Sequence, residues 1–223
     1  MEIAQRRILK DVRILQDNET ELHQRHVYFH IKDSNLFKMK ILFIPQTYPY
    51  THGCFMFEIY FPVSYPMDPP LITFFPKQNS VRFHPNFYEN GHVCLSVINT
   101  WSSPDWVPSM SVLSLINVIT ERFHERPLTL EPGRECASDS DIDMFNKYVR
   151  YGVFSHAIYN KNIPVAFSEF SKEIQTYFQA HEEAIMNELK TLADKSHTVT
   201  LHQLAYRHKM VFDYAKITAS LKN

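Results

Sequence analysis

Proline is spread so unevenly along this chain that it constrains the architecture before any other residue is weighed. Of thirteen prolines, twelve lie between Pro45 and Pro132, and none follows Pro164. Proline locks φ and has no backbone N–H, so it breaks helices and is confined to turns and strand edges. The middle of the chain must be short elements joined by shaped loops, while both ends are free to be helical. Glycine adds little further freedom, occurring only at 53, 91, 133 and 152. A uniform repeat or a plain helical bundle is excluded.

Hydrophobic spacing fills in that outline. Ile8, Val12 and Leu15 form one helical stripe, and Arg6, Lys10 and Arg13 form another. At about 100° per residue the two lie on opposite sides, one inward and one in water. From residue 25 to 75 the period changes to two. Val27/Phe29/Ile31, Phe37/Met39/Ile41/Phe43 and Phe55/Phe57/Ile59/Phe61 each place apolar residues on one strand face, followed by the short run Leu71–Phe75. Lys32-Asp33-Ser34-Asn35, Pro45 to Gly53 and Phe61–Pro70 supply the intervening turns. Four sequential strands with short connections predict an antiparallel meander. Helical spacing returns at Ser109–Phe123, about 140–151, about 165–192 and about 200–220, the last on Leu201, Leu204, Val211, Tyr214 and Ile217. The expected class is α+β.

With 223 residues and 44% hydrophobic content, the chain can bury a sizeable core. Formal net charge is −1, which gives no basic field for nucleic acid or an anionic membrane. No apolar stretch approaches the roughly 20 residues of a membrane span. Met1 is followed almost at once by charged residues, so no leader is expected. Cys54, Cys94 and Cys136 are too few and too scattered for a disulfide framework, and read as reduced thiols of the cytosol or nucleus. The one close histidine pair, His23 and His26, lacks neighbouring ligands, so neither metal nor cofactor is expected.

Asn79 to Pro108 has no sustained period, and irregular chain of that length inside a domain is usually functional. Cys94 lies within it, eight residues after Asn86 and beyond the turn at Gly91. Thiolate attack on a carbonyl places negative charge on oxygen, and a neutral amide donor stabilises that charge.

His84-Pro85-Asn86, Gly91, Cys94-Leu95-Ser96, Trp106 and Pro108 resemble the active-site segment of ubiquitin-conjugating enzymes. Phe61-Pro62, Tyr65-Pro66 and Pro69-Pro70 are similar to that family's FPxxYPxxPP segment, and Pro45, Tyr50, Gly53 and Phe55 to its turn into the third strand. The resemblance covers about residues 2–155. Cys94 and Trp106 stand twelve residues apart, where most members have about eight. With Asn86-Phe87-Tyr88 and Glu131-Pro132-Gly133, that insertion resembles the Z-type branch, which also carries a C-terminal extension. Leu130 stands where that branch has asparagine, a departure that bears on the shape of this loop.

The resemblance implies a catalytic core over 1–158 and a helical extension over 159–223, packed on or beside it. Cys94 would accept ubiquitin or a ubiquitin-like modifier from an activating enzyme and pass it to a substrate lysine, alone or with a ligase. Asn86 is then the oxyanion donor, a loop-locking amide that bonds backbone groups, or both, and Glu131 the acid that assists the lysine, with Glu135 and Asp139 as fallbacks. His84, Pro85, Trp106 and Pro108 would shape the site. Arg6, Arg7, Lys10 and Arg13 would meet the activating enzyme, and Met67 and Ser109 the ligase. Trp101 and the Asn99–Asp105 insertion, beside the nucleophile, would either select the incoming tail or lysine or cap the loop. His92 reads as an exposed loop histidine, and Cys54 and Cys136 as structural. The competing readings are a non-catalytic scaffold of the same fold and a thiol hydrolase pairing Cys94 with His84 or His92. The presence of both Cys94 and Asn86 opposes the first, and the lack of a hydrolase-type local signature opposes the second.

Overall fold

Helix α1 (Ile3–Asp17) begins the chain in a computed structural model that describes residues 2–32, 34–75, 81–101, 105–159, 163–193, 197–200 and 209–222. Its first turn is closed by the Glu2 N–H donating to Gln5 Oε1 at 3.3 Å. The buried face is Ala4, Ile8, Asp11 and Leu15, while Val12 is only half-buried. The expected stripe is thus turned by one residue, because a buried carboxylate occupies the place expected for a valine. A short helix α2 (Glu19–Gln24) leads into the sheet.

The four expected strands are present: β1 (Val27–Lys32), β2 (Asn35–Phe43), β3 (Phe55–Tyr60) and β4 (Leu71–Phe75). They pair antiparallel in sequence order. Register places Phe29, Ile41, Phe57 and Phe74 in one row and Ile31, Met39, Ile59 and Ile72 in the next, on the same face. That face carries an aromatic cluster in which Phe74 lies 5.3 Å from Phe57 and 5.2 Å from Phe87. Phe123 closes it, 5.1 Å from Phe55 and 5.4 Å from Phe87. Offset and edge-on geometries of this kind add to the simple burial of area. Helix α3 (Val112–Glu121) is capped by Ser111, and α1 packs against both α3 and β2.

By its contacts the chain forms two compact units that alternate along the sequence. The first comprises Met1–Pro45, Phe55–Ser80 and Asn86–Phe123, and the second Gln46–Cys54, Val81–Pro85 and His124–Asn223. The expected boundary at residue 158 is of another kind, since it marks where the sequence resemblance stops, and these units do not bear on it.

The second unit is built on α4 (Asp139–His156) and α5 (Ser171–Ala193), the latter entered through a 3-10 turn, Val165–Phe170, after Pro164. Arg150 of α4 is 3% exposed. Its Nε and Nη2 donate to the Glu188 carboxylate of α5 at 2.7 and 2.5 Å, and its Nη1 donates to the Thr51 carbonyl. Nearby, His52 Nδ1 lies 2.9 Å from the Tyr177 hydroxyl, and His181 stacks on Tyr177 at 4.1 Å. Burial, then the charge of Arg150 and of His181, holds His52 down to about 4. Cys54 is buried, and burial pushes its thiol up to about 12.

Of the helix expected over about 200–220, the described residues form only the part from Tyr214 onward. Strands β5 (His197–Thr200) and β6 (Lys209–Phe212) pair as an antiparallel hairpin, and α6 begins only at Tyr214 and runs to Lys222. Leu201 and Leu204 lie outside the described residues. The apolar spacing suited a helix, but Val211 is exposed while Phe212 stacks on Tyr151 at 4.8 Å. Alternation, not helical spacing, governs that stretch. No described helix is long and apolar enough to cross a membrane.

Candidate active site

Asn86 and Cys94 end the two arms of a narrow loop. At its tip Gly91 takes φ of 91°, a region that favours glycine, and its N–H donates to the Tyr88 carbonyl at 2.8 Å. Below the tip the Tyr88 N–H donates to the His92 carbonyl, and Phe87 pairs with Val93. The loop is anchored to β4 by the Phe74 N–H donating to the Gly91 carbonyl, and by pairing of Thr73 with His92. At the base the Cys94 N–H donates to the Asn86 carbonyl at 2.8 Å, and Asn86 Nδ2 returns a bond to the Cys94 carbonyl at 3.0 Å. The two residues that the motif singled out are therefore bonded in both directions. His92 is exposed, with its ring edge-on to Tyr88 at 5.1 Å.

Cys94 is 5% exposed, and its Sγ donates to the Thr100 carbonyl at 3.4 Å. The chain returns there because Ser96–Ile98 makes a 3-10 turn and Asn99 takes φ of 57°, which an asparagine tolerates. Thr100 is pinned to Leu95: its hydroxyl accepts the Leu95 N–H at 2.9 Å and donates to the Leu95 carbonyl at 3.1 Å. Asn99 Oδ1 accepts the Trp106 N–H at 3.1 Å, and the Asp105 N–H donates to the Ser96 carbonyl at 3.3 Å. The insertion thus closes back on the residues just after the cysteine. Trp101 is 46% exposed. Residues 102–104 of the expected selecting loop lie outside the described residues.

Trp106 Nε1 donates to the Pro66 carbonyl at 2.8 Å, and its ring lies 5.9 Å from Tyr65. This joins the loop carrying Met67 to the one carrying Pro108 and Ser109. Met67 is 66% exposed, and Pro108 and Ser109 are exposed as well. Arg6, Lys10 and Arg13 face solvent on α1, as the spacing predicts. Arg7 does not share that face. Its guanidinium donates to the carbonyls of Pro108 and Met110 and, through Nε, to Asp11 Oδ2 at 3.0 Å. Burial, then the bond to Asp11, pushes the Tyr65 phenol well above its ordinary value, so it stays a neutral donor.

In the second unit His84 is 0% exposed, with its ring 6.3 Å from that of Tyr50. Arg82 donates to the His84 carbonyl at 3.1 Å and the Pro85 carbonyl at 2.7 Å. Glu131 ends the 3-10 turn Pro127–Leu130, half-buried, with its carbonyl accepting the Arg134 N–H at 2.9 Å. Glu135 is exposed, and hydrogen bonds from its own backbone and from Gly133 hold its carboxyl below the usual range. Asp139 pairs with Arg126 at 2.9 Å. Cys136 is exposed and so does not pack in the core, unlike Cys54. Among the described residues no group of three or more His, Cys, Asp or Glu could hold a metal ion.

Sequence reasoning passed over Thr100 and Asp11. The Arg7–Asp11 spacing of four on a helix was the one available signal for the latter.

Comparison with known proteins identifies the family of the chain. A family model described as "Ubiquitin-conjugating enzyme" matches residues 7–151. Human "Ubiquitin-conjugating enzyme E2 Z" is 38% identical over 112 residues, 49% of this chain and 32% of that protein. Human "Dual E2 ubiquitin-conjugating enzyme/E3 ubiquitin-protein ligase BIRC6" is 40% identical over 116 residues, 49% of this chain and 2% of that protein. A crystal structure of a Plasmodium falciparum ubiquitin-conjugating enzyme E2 covers 54% of this chain and 84% of its own, at 25% identity and a TM-score of 0.46. The matched stretch spans about a third of the length of the E2 Z relatives, 32% to 36%.

Proposed function

Because the chain belongs to the ubiquitin-conjugating enzyme family, we propose that it takes ubiquitin or a ubiquitin-like modifier as a thioester on Cys94 and passes it to a substrate lysine. In charging, the Cys94 sulfur bonds to the modifier's C-terminal carbonyl carbon as the carbon–sulfur bond to the activating enzyme breaks. The Cys94 proton ends on the departing thiol. In discharge the lysine nitrogen replaces the sulfur and gives up a proton, and Cys94 returns to thiol. Both steps pass through a tetrahedral oxyanion.

The observation that carries the proposal is the reciprocal Asn86–Cys94 pairing, which holds an amide donor beside the nucleophile. Asn86 supplies charge stabilisation, an effect worth about 10²–10³ in rate where single donors have been removed. Glu131 assists the lysine. Arg6, Lys10 and Arg13 receive the activating enzyme, with Arg7 supporting the loops behind them. Met67 and Ser109 receive a ligase where one takes part. Three free cysteines support a reducing compartment, cytosol or nucleus.

The test is incubation with activating enzyme, modifier and ATP, followed by gels with and without reductant. A thiol-labile adduct is expected, converted by Cys94→Ser to one that resists reductant. No adduct with any activating enzyme or modifier would return the chain to the scaffold reading.

A further inference from the structure

We propose that Thr100 is a positioning residue for Cys94: its carbonyl holds the unloaded thiol turned into the loop, and its hydroxyl holds that carbonyl in place. The inference rests on Cys94 being the acyl acceptor.

A thiol that donates to a carbonyl is bonded in its neutral form, whereas the species that attacks is the thiolate. The Cys94–Thr100 contact at 3.4 Å therefore opposes attack until it is broken. Its geometry is set by bonds that close a ring between Thr100 and Leu95, the residue next to the nucleophile. The Thr100 hydroxyl accepts from the Leu95 N–H and donates to the Leu95 carbonyl, to which the Thr100 N–H also donates at 3.2 Å. The left-handed Asn99 makes the reversal, and its side chain ties the reversal to Trp106. The contact also responds to loading. An acylated sulfur has no hydrogen to donate, so forming the thioester releases the Thr100 carbonyl and removes one of the bonds that hold the loop. The clamp guards the resting thiol and lets go when the modifier is attached.

The test uses the full chain in a Cys136→Ser background, which removes the exposed competing thiol. Iodoacetamide alkylation of Cys94 is followed by mass spectrometry across a pH series. Thr100→Val deletes the hydroxyl at nearly constant volume. It should alkylate about threefold faster at neutral pH, the scale of one modest hydrogen bond, with the profile midpoint moved to lower pH. Thr100→Ser should match the parent. Greater exposure alone would raise the plateau and leave the midpoint in place. An unmoved midpoint in Thr100→Val, or an equal shift in Thr100→Ser, overturns the proposal.

A second measurement needs no substitution at Thr100. Methylthiolation of Cys94 removes the S–H donor, and faster amide exchange across Leu95–Trp101 is expected. Unchanged exchange overturns the proposal. Neither readout uses an activating enzyme, so failure here leaves charging at Cys94 standing, and failure to charge leaves these readouts intact.

Discussion

The Tyr65 hydroxyl donates to Asp11 Oδ2 at 2.6 Å, and the same carboxylate oxygen accepts the Arg7 Nε–H at 3.0 Å. A buried acid on the first helix thus holds both the loop before β4 and, through Arg7, the backbone at Pro108 and Met110. Removing the phenol leaves a buried carboxylate short of a donor, which costs about 1–3 kcal/mol. Tyr65→Phe should lower the unfolding free energy by that amount in urea titration. A change below about 0.5 kcal/mol, the range of ordinary surface substitutions, would show that the bond adds nothing.

Asn86→Ala should separate the two chemical steps. Charging should stay near normal, while single-turnover discharge to free lysine slows by about 10² or more. The lost bond to the Cys94 carbonyl should also cost about 1 kcal/mol of stability. Equal losses in charging and discharge would reduce Asn86 to a loop-fixing role.

Gly152 sits inside α4, where alanine would ordinarily stabilise by about 1 kcal/mol. Here a Cβ would come within 2.5 Å of Val81 Cγ1 and 3.2 Å of Phe83 Cε1. Overpacking costs about 1–3 kcal/mol and so outweighs the helix preference. Gly152→Ala should therefore lower the melting temperature; a rise would mean that Val81 gives way freely.

His52 is held near 4 in the folded chain against 6.5 for a free histidine. Between those values the unfolded chain binds the extra proton, so stability rises with pH there. His52 therefore contributes nothing adverse above about pH 6.5 and destabilises progressively as pH falls toward 4. Thermal melts across this window should show a shallower acid-side slope in His52→Gln than in the parent. Parallel slopes would remove His52 as the source.

The strands were readable because alternation is local: Phe55, Phe57 and Ile59 announce their shared face without knowledge of any partner. Cys94 and Asn86 were readable because a motif keeps their spacing. Asp11, Arg7 and Thr100 were harder to read, since each gains its role from a partner. Tyr65 lies 54 residues from Asp11, and Met110 lies 103 from Arg7. Thr100 acts partly through its backbone carbonyl, which every residue possesses. In the tail, Tyr214 and Ile217 lie buried on α6 as their spacing predicts, whereas Val211 falls on β6, where the stacking of Phe212 on Tyr151 rewards alternation instead.

Arg150 gives the tail a meaning that its late position in the chain hides. The guanidinium is interior, and its counter-charge, Glu188, comes from a helix that begins beyond the matched family segment. Cutting the chain back to the familiar enzyme would remove that counter-charge and leave the guanidinium with the Pro49 and Thr51 carbonyls and the Phe154 ring. The extension supplies a charge partner to the last helix of the matched segment.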